Sequence, residues 1–106
     1  MDETTYQQRA DATLARLAEA LEPAYDRGEI DELERDGSVL TITTASGRTL
    51  VVSKHAPSKQ IWLASRTSGG LHFAYAASGE WQLPDGSTLP VILTAELAAE
   101  KVSVTL

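Results

Sequence analysis

The chain has 106 residues, 42% of them hydrophobic, no cysteine and a formal net charge of −6 at pH 7. That length gives a single domain, 1–106, with one modest core, and that apolar content is too high for a disordered tail. Without cysteine there are no disulfides, thiol nucleophiles, thiolate metal ligands or cluster-holding thiolates, which leaves oxygen atoms, His55 or His72 for any metal.

The charge is unevenly placed. Eleven of the fifteen acidic residues lie within positions 1–36, where Arg9, Arg16, Arg27 and Arg35 are the only bases, so this stretch carries about −7 and the remainder about +1. A concentrated negative field draws cations and basic protein surfaces and repels nucleic acid and anionic membranes. No run approaches the ~18 apolar residues of a membrane span. Met1 to Arg9 is polar, without the apolar segment of a signal peptide or the acid-poor, Arg-rich pattern of a transit peptide, so the expected location is the cytoplasm.

Residues 5–22 read as an amphipathic helix. Ala10, Leu14, Leu17 and Leu21 fall on one arc at ~100° per residue. Asp11, Glu19, Glu22 and Asp26 form a second arc of about 80°, roughly 130° away. One side packs and the other is a carboxylate stripe, which either meets water or binds something. Pro23 predicts a kink or stop near Glu22, with Pro23 starting a further turn that leaves the position of Asp26 open, because an interior proline loses a hydrogen bond and clashes with the preceding turn.

From Ile30 the period changes to two. Leu40 and Ile42, Leu50 and Val52, Ile61 and Leu63, and Leu71, Phe73 and Tyr75 each alternate with their neighbours. Turn signals separate the runs at Asp36-Gly37, Ser46-Gly47, Gly69-Gly70, Ser78-Gly79 and Asp85-Gly86, and such short connections imply antiparallel neighbours. Ile30 and Leu33 lie three apart, so the first strand is bulged or short. Residues 89–100 read as a second helix with Thr88 at its N-cap, Pro90 in its first turn and Leu89, Leu93 and Leu97 on one side. Val102, Val104 and Leu106 are too apolar to hang free. The expected fold is α+β: a two-layer sandwich with two helices packed on one face of an antiparallel β-sheet.

If Ile61, Leu63, Leu71 and Phe73 point into that sandwich, Gln60, Trp62 and His72 point out. An outward Trp either covers its cross-strand neighbours or anchors a protein contact, since Trp is enriched at interface hot spots. Trp81, on a short strand near the turns, reads as structural. His55 and His72 have no partner at metal-ligand spacing and read as solvated or hydrogen-bonded. No Gly-rich phosphate loop, nucleophile elbow or metalloprotease motif is present, and the carboxylate stripe lies on a convex helix face rather than in a cleft. The chain therefore does not read as an enzyme.

The acidic first helix, the strand Val39-Leu40-Thr41-Ile42-Thr43, the run Gln60-Ile61-Trp62-Leu63-Ala64-Ser65 and the following Gly69-Gly70-Leu71-His72-Phe73 together resemble the frataxin family, in its bacterial, CyaY-type branch. The resemblance covers nearly the whole chain. It implies the same helix-on-sheet sandwich and weak binding of ferrous and ferric iron on an acidic ridge, with no permanently bound cofactor. It also implies a regulatory or supporting role in iron–sulfur cluster assembly by docking on the cysteine desulfurase and its scaffold protein, as a monomer without metal. By position the ridge comprises Asp11, Glu19, Glu22, Asp26, Glu29 and Asp31. The partner-facing residues are Glu19, Glu22, Gln60, Trp62 and His72. Some family members oxidise ferrous iron, which leaves room for weak ferroxidase activity. The chain departs from the family where other bacterial members tend to have acids, with Ala18, Pro23, Tyr25 and Arg27 instead. It also has one extra residue near Ser68. A thinner ridge implies fewer bound ions.

Overall fold

In the computed structural model, which describes residues 1–106, the Asp2 carboxylate accepts a hydrogen bond from the Thr5 amide at 2.7 Å. It so caps helix α1, Glu3–Asp26. Tyr6, Ala10, Thr13, Leu14, Leu17, Leu21 and Ala24 form the buried side of α1, which follows the apolar arc in the sequence. The helix does not stop at Glu22 but runs through Pro23 to Asp26. Pro23 cannot donate to the Glu19 carbonyl. Both residues are exposed, however, so water can take that carbonyl, while the Pro23 carbonyl still accepts from Arg27 N at 3.0 Å. Asp26 therefore stays on the helix.

Six antiparallel strands follow in sequential order: β1 Ile30–Asp36, β2 Val39–Thr44, β3 Thr49–His55, β4 Gln60–Ser65, β5 Gly69–Tyr75 and β6 Trp81–Gln82. The β1–β2 register slips between Ile30 and Glu32, which is the irregularity that the Ile30–Leu33 spacing predicts. Gly37 has φ 57° in the two-residue loop between β1 and β2, a value that favours glycine in tight hairpins. Gly69 and Gly70 belong to β5 itself, paired with Ser65 and Ala64, and the turn before them is residues 66–68.

Helix α2, Leu89–Ala99, ends one residue earlier than its pattern suggests, and Thr88 occupies the N-cap position without a side-chain capping bond. Leu89, Leu93 and Leu97 join the α1 side chains and Leu40, Ile42, Val52, Ile61, Leu63 and Phe73 of the sheet in one core, with Val102 sealing the tail. The α+β sandwich expected from the sequence is the observed architecture. Trp81 is 4% exposed, and its indole N–H donates to Thr13 Oγ1 at 2.9 Å. Every buried side-chain nitrogen and oxygen has a partner. No helix is long and apolar enough to cross a membrane.

Candidate functional site

The six carboxylates singled out by the sequence fall into two groups. Asp11 and Glu29 are already engaged. Asp11 Oδ1 lies 2.5 Å from Lys54 Nζ and 3.8 Å from Arg35 Nη2, so it ties α1 to β3 and β1. Glu29 accepts from Arg27 Nε at 3.0 Å, from Arg27 Nη2 at 3.1 Å and from the Ser103 amide at 3.0 Å, while Arg27 Nη2 also donates to the Ser103 carbonyl. The guanidinium first and the Ser103 N–H second hold the Glu29 carboxyl below its ordinary pKa. This clamp joins the end of α1, the start of β1 and the C-terminal tail.

Glu19, Glu22, Asp26 and Asp31 are exposed and form no ion pair. The first three share the outer side of α1, and Asp31 sits in the β1 irregularity. No three acidic or histidine side chains are close enough together to hold one ion. What the chain offers a cation is an open row of free carboxylates, not a cage.

The open face of the sheet is organised by register. Asp36, Val39, Ser53, Trp62 and His72 form one row across five strands, because each is paired with the next. Glu34, Thr41, Val51, Ala64 and Gly70 form the next row, and Glu32, Thr43 and Thr49 a third. Thr43 Oγ1 donates to Glu32 Oε1 at 3.0 Å. The face therefore runs from three carboxylates on edge strand β1, across a neutral Thr- and Ser-rich middle, to an aromatic end. Glu32, Glu34 and Asp36 are not among the residues that the sequence reading singles out. A signal for them exists: once β1 is bulged, their spacing of two puts all three on one face.

At the aromatic end Trp62 is sandwiched. Its ring centroid lies 3.7 Å from that of His55 and 4.2 Å from that of His72, with interplanar angles of 15° and 12°. Its indole N–H donates to Gln60 Oε1 at 3.0 Å, and His55 Nδ1 lies 2.6 Å from the Ser58 hydroxyl. Gln60, Trp62 and His72 share the outward face, as alternation predicts. Trp62 is half-buried, however, with both ring faces covered. A partner would meet a three-ring slab at its edges. The indole also separates the two imidazoles, so they cannot share an ion. From the sequence His55 is legible only as a bland polar residue, because its place beside Trp62 is diagonal across β3 and β4 and depends on register.

Residues 1–102 match the model of the frataxin-like domain. Over 82 residues the chain is 37% identical to the iron-sulfur cluster assembly protein CyaY of Burkholderia mallei, covering 77% of this chain and 74% of that protein. It is equally similar to the protein of that name from Burkholderia pseudomallei. Among solved structures it superposes on frataxin from Psychromonas ingrahamii with a TM-score of 0.86, covering 99% of this chain and 97% of the other; at 24% identity this likeness speaks for the fold alone. It also superposes on trimeric frataxin from the yeast Saccharomyces cerevisiae complexed with ferrous iron, with a TM-score of 0.76 and 35% identity, covering 87% of this chain and 84% of that one.

Proposed function

Because the chain belongs to the frataxin-like family, matched along residues 1–102, we propose that it is an iron-binding protein that supports or regulates iron–sulfur cluster assembly in the cytoplasm. It acts by docking rather than catalysis: a cysteine desulfurase and its scaffold protein are the partners, and iron is a weakly held cargo. The observation that carries this reading is the set of exposed, unpartnered carboxylates on one side of α1, Glu19, Glu22 and Asp26, flanked by Asp31. Carboxylate oxygens suit hard cations, and an open row supplies one or two at a time. Such a row has less affinity than a preorganised EF-hand sensor loop at ~10⁻⁷–10⁻⁵ M. The same negative surface favours a basic patch on the desulfurase, and the Trp62 slab with Gln60 and His72 supplies the adjoining contact.

The ion pairs refine the ligand set. Asp11 and Glu29 would have to release Lys54 or Arg27 to bind a metal, so they belong to the fold first and to the ridge second. Anaerobic titration with ferrous iron, read by amide chemical shifts, tests this. Shifts should centre on residues 19–26 and 31, with little change at Glu29 and Ser103. Unchanged resonances across residues 11–36 at millimolar iron would leave the alternative, an acidic interaction module without a metal role. A second titration with the desulfurase would then decide whether the same surface serves a partner.

A further inference from the structure

Helix α1 also carries two cations, away from its carboxylates. Arg9 and Arg16 are seven residues apart, which is two turns, so they point the same way about 10 Å apart along the axis. They lie roughly 110° round the helix from the acidic arc. Neither guanidinium pairs with a carboxylate: the molecule's ion pairs are made by Arg27, Arg35, Arg48 and Lys54. Both border a cavity of about 150 Å³ between α1, the β5–β6 hairpin and the start of α2.

The site is partly preorganised. Arg9 Nη1 donates to the Tyr75 hydroxyl at 2.9 Å, and its guanidinium carbon lies over the Tyr75 ring, 4.9 Å from the centroid. The Tyr75 oxygen acts as acceptor there, and its own proton has no acceptor in the protein. Trp81 fixes the tyrosine from behind, edge to face at 5.1 Å. A held guanidinium, a second one two turns on and a free hydroxyl proton thus surround one small cavity.

We propose that this cavity binds a carboxylate carried by a small molecule. Glu80 is the one acid in its lining, so the two arginines leave a single positive charge there. One carboxylate neutralises it, whereas a dianionic phosphate overshoots. The planar guanidinium fork also matches a carboxylate through two parallel N–H···O bonds. The net charge of −6 does not forbid this, because exposed charges beyond about 8 Å are largely screened at physiological salt.

Acetate at pH 7 is the probe, with the Gly79 amide and the Trp81 indole N–H as reporters beside the cavity. Saturable shifts at both are expected, absent in sodium chloride of the same ionic strength, with inorganic phosphate binding about threefold or more weakly. Arg16→Gln, an exposed change that leaves Tyr75 untouched, should lower the acetate affinity about fivefold or more while the other amide resonances stay in place, since it removes one charge-assisted partner. Arg9→Lys should also weaken binding, because it keeps the charge and loses the fork. Equal shifts in chloride, tighter binding of phosphate, or an unchanged response in a well-folded Arg16→Gln variant would each overturn the assignment.

Discussion

Glu22 and Glu29 are the same residue type seven positions apart, and they serve different ends. Glu22 has no partner, whereas Glu29 accepts three hydrogen bonds and closes the tail against β1. Because Arg27 and Ser103 lower the Glu29 pKa from its ordinary value near 4.5, its ionised form is bound more tightly folded than unfolded. That contribution is fully present above about pH 4.5, and it is lost as pH falls through the lower, folded-state value. Glu29→Gln should therefore lower the melting midpoint at pH 7, and the gap to wild type should close as pH is taken below 4. A constant gap across a melting series from pH 7 to pH 3 would mean that the clamp gains nothing from its charge. The Trp62 slab is the other residue-scale feature. Hot-spot truncations exceed ~2 kcal/mol, so if the slab anchors the proposed desulfurase contact, Trp62→Arg should weaken that binding by more than ~2 kcal/mol, read by calorimetry. The fold should persist, because the loss is confined to the open face of the sheet: stacking on His55 and His72, worth about 0.5–1.5 kcal/mol per ring pair, and the indole hydrogen bond to Gln60. Wild-type affinity in a folded Trp62→Arg variant would reduce the tryptophan to a cover for its neighbours. That Trp62 faces outward is readable from alternation alone. That both its faces are occupied is not, since stacking is set by cross-strand register.

The elements are legible wherever a periodic pattern runs uninterrupted, and misleading where a single residue punctuates it. Leu14, Leu17 and Leu21 mark the buried side of α1 correctly, and the Ile30–Leu33 spacing marks the β1 irregularity. Pro23 reads as a kink or a stop, and it does not stop the helix. Near a helix C-terminus, and exposed, it removes one hydrogen bond whose acceptor can turn to water, and α1 carries on to Asp26. The glycines of β5 likewise read as a turn, although they pair with Ala64 and Ser65. The proline makes a prediction at this scale. In a helix interior Pro is about 3 kcal/mol worse than Ala, and its stiffening of the unfolded chain returns about 0.4–1 kcal/mol. Near the helix end the penalty is smaller, so Pro23→Ala should raise stability by about 1–2 kcal/mol in urea melts and leave the proposed iron response at Glu19 and Glu22 unaltered. A lower stability would show that the ring packs usefully against the tail residues Ser103 and Val104, with which it shares a groove.

Across the whole molecule, the charge asymmetry seen in the first thirty-six residues becomes a spatial one. Edge strand β1 lies between the outer side of α1, with Glu19, Glu22 and Asp26, and the sheet's open face, with Glu32, Glu34 and Asp36. Such crowding costs stability. Like charges at i, i+4 on a helix cost roughly 0.2–0.5 kcal/mol per pair, and both the i, i+3 pair Glu19–Glu22 and the i, i+4 pair Glu22–Asp26 fit that range. Neither Glu19 nor Glu22 has a hydrogen-bond or ion-pair partner to lose. The double substitution Glu19→Gln, Glu22→Gln should therefore leave the melting temperature unchanged or raise it. If the ridge binds cations, wild type should gain stability with a divalent metal, by up to ~2.7 kcal/mol at a hundredfold excess over the dissociation constant. The double variant should lose most of that response. A ridge that merely faces water behaves differently, since screening depends on ionic strength alone. For each protein, sodium and divalent salts at matched ionic strength would then have equal effects. Melts of the two proteins in the two salts separate these cases. If the double variant melts lower and still responds to the divalent ion as wild type does, these carboxylates serve the fold and the metal site lies elsewhere, with Asp31, Glu32 and Glu34 of β1 the next residues to change.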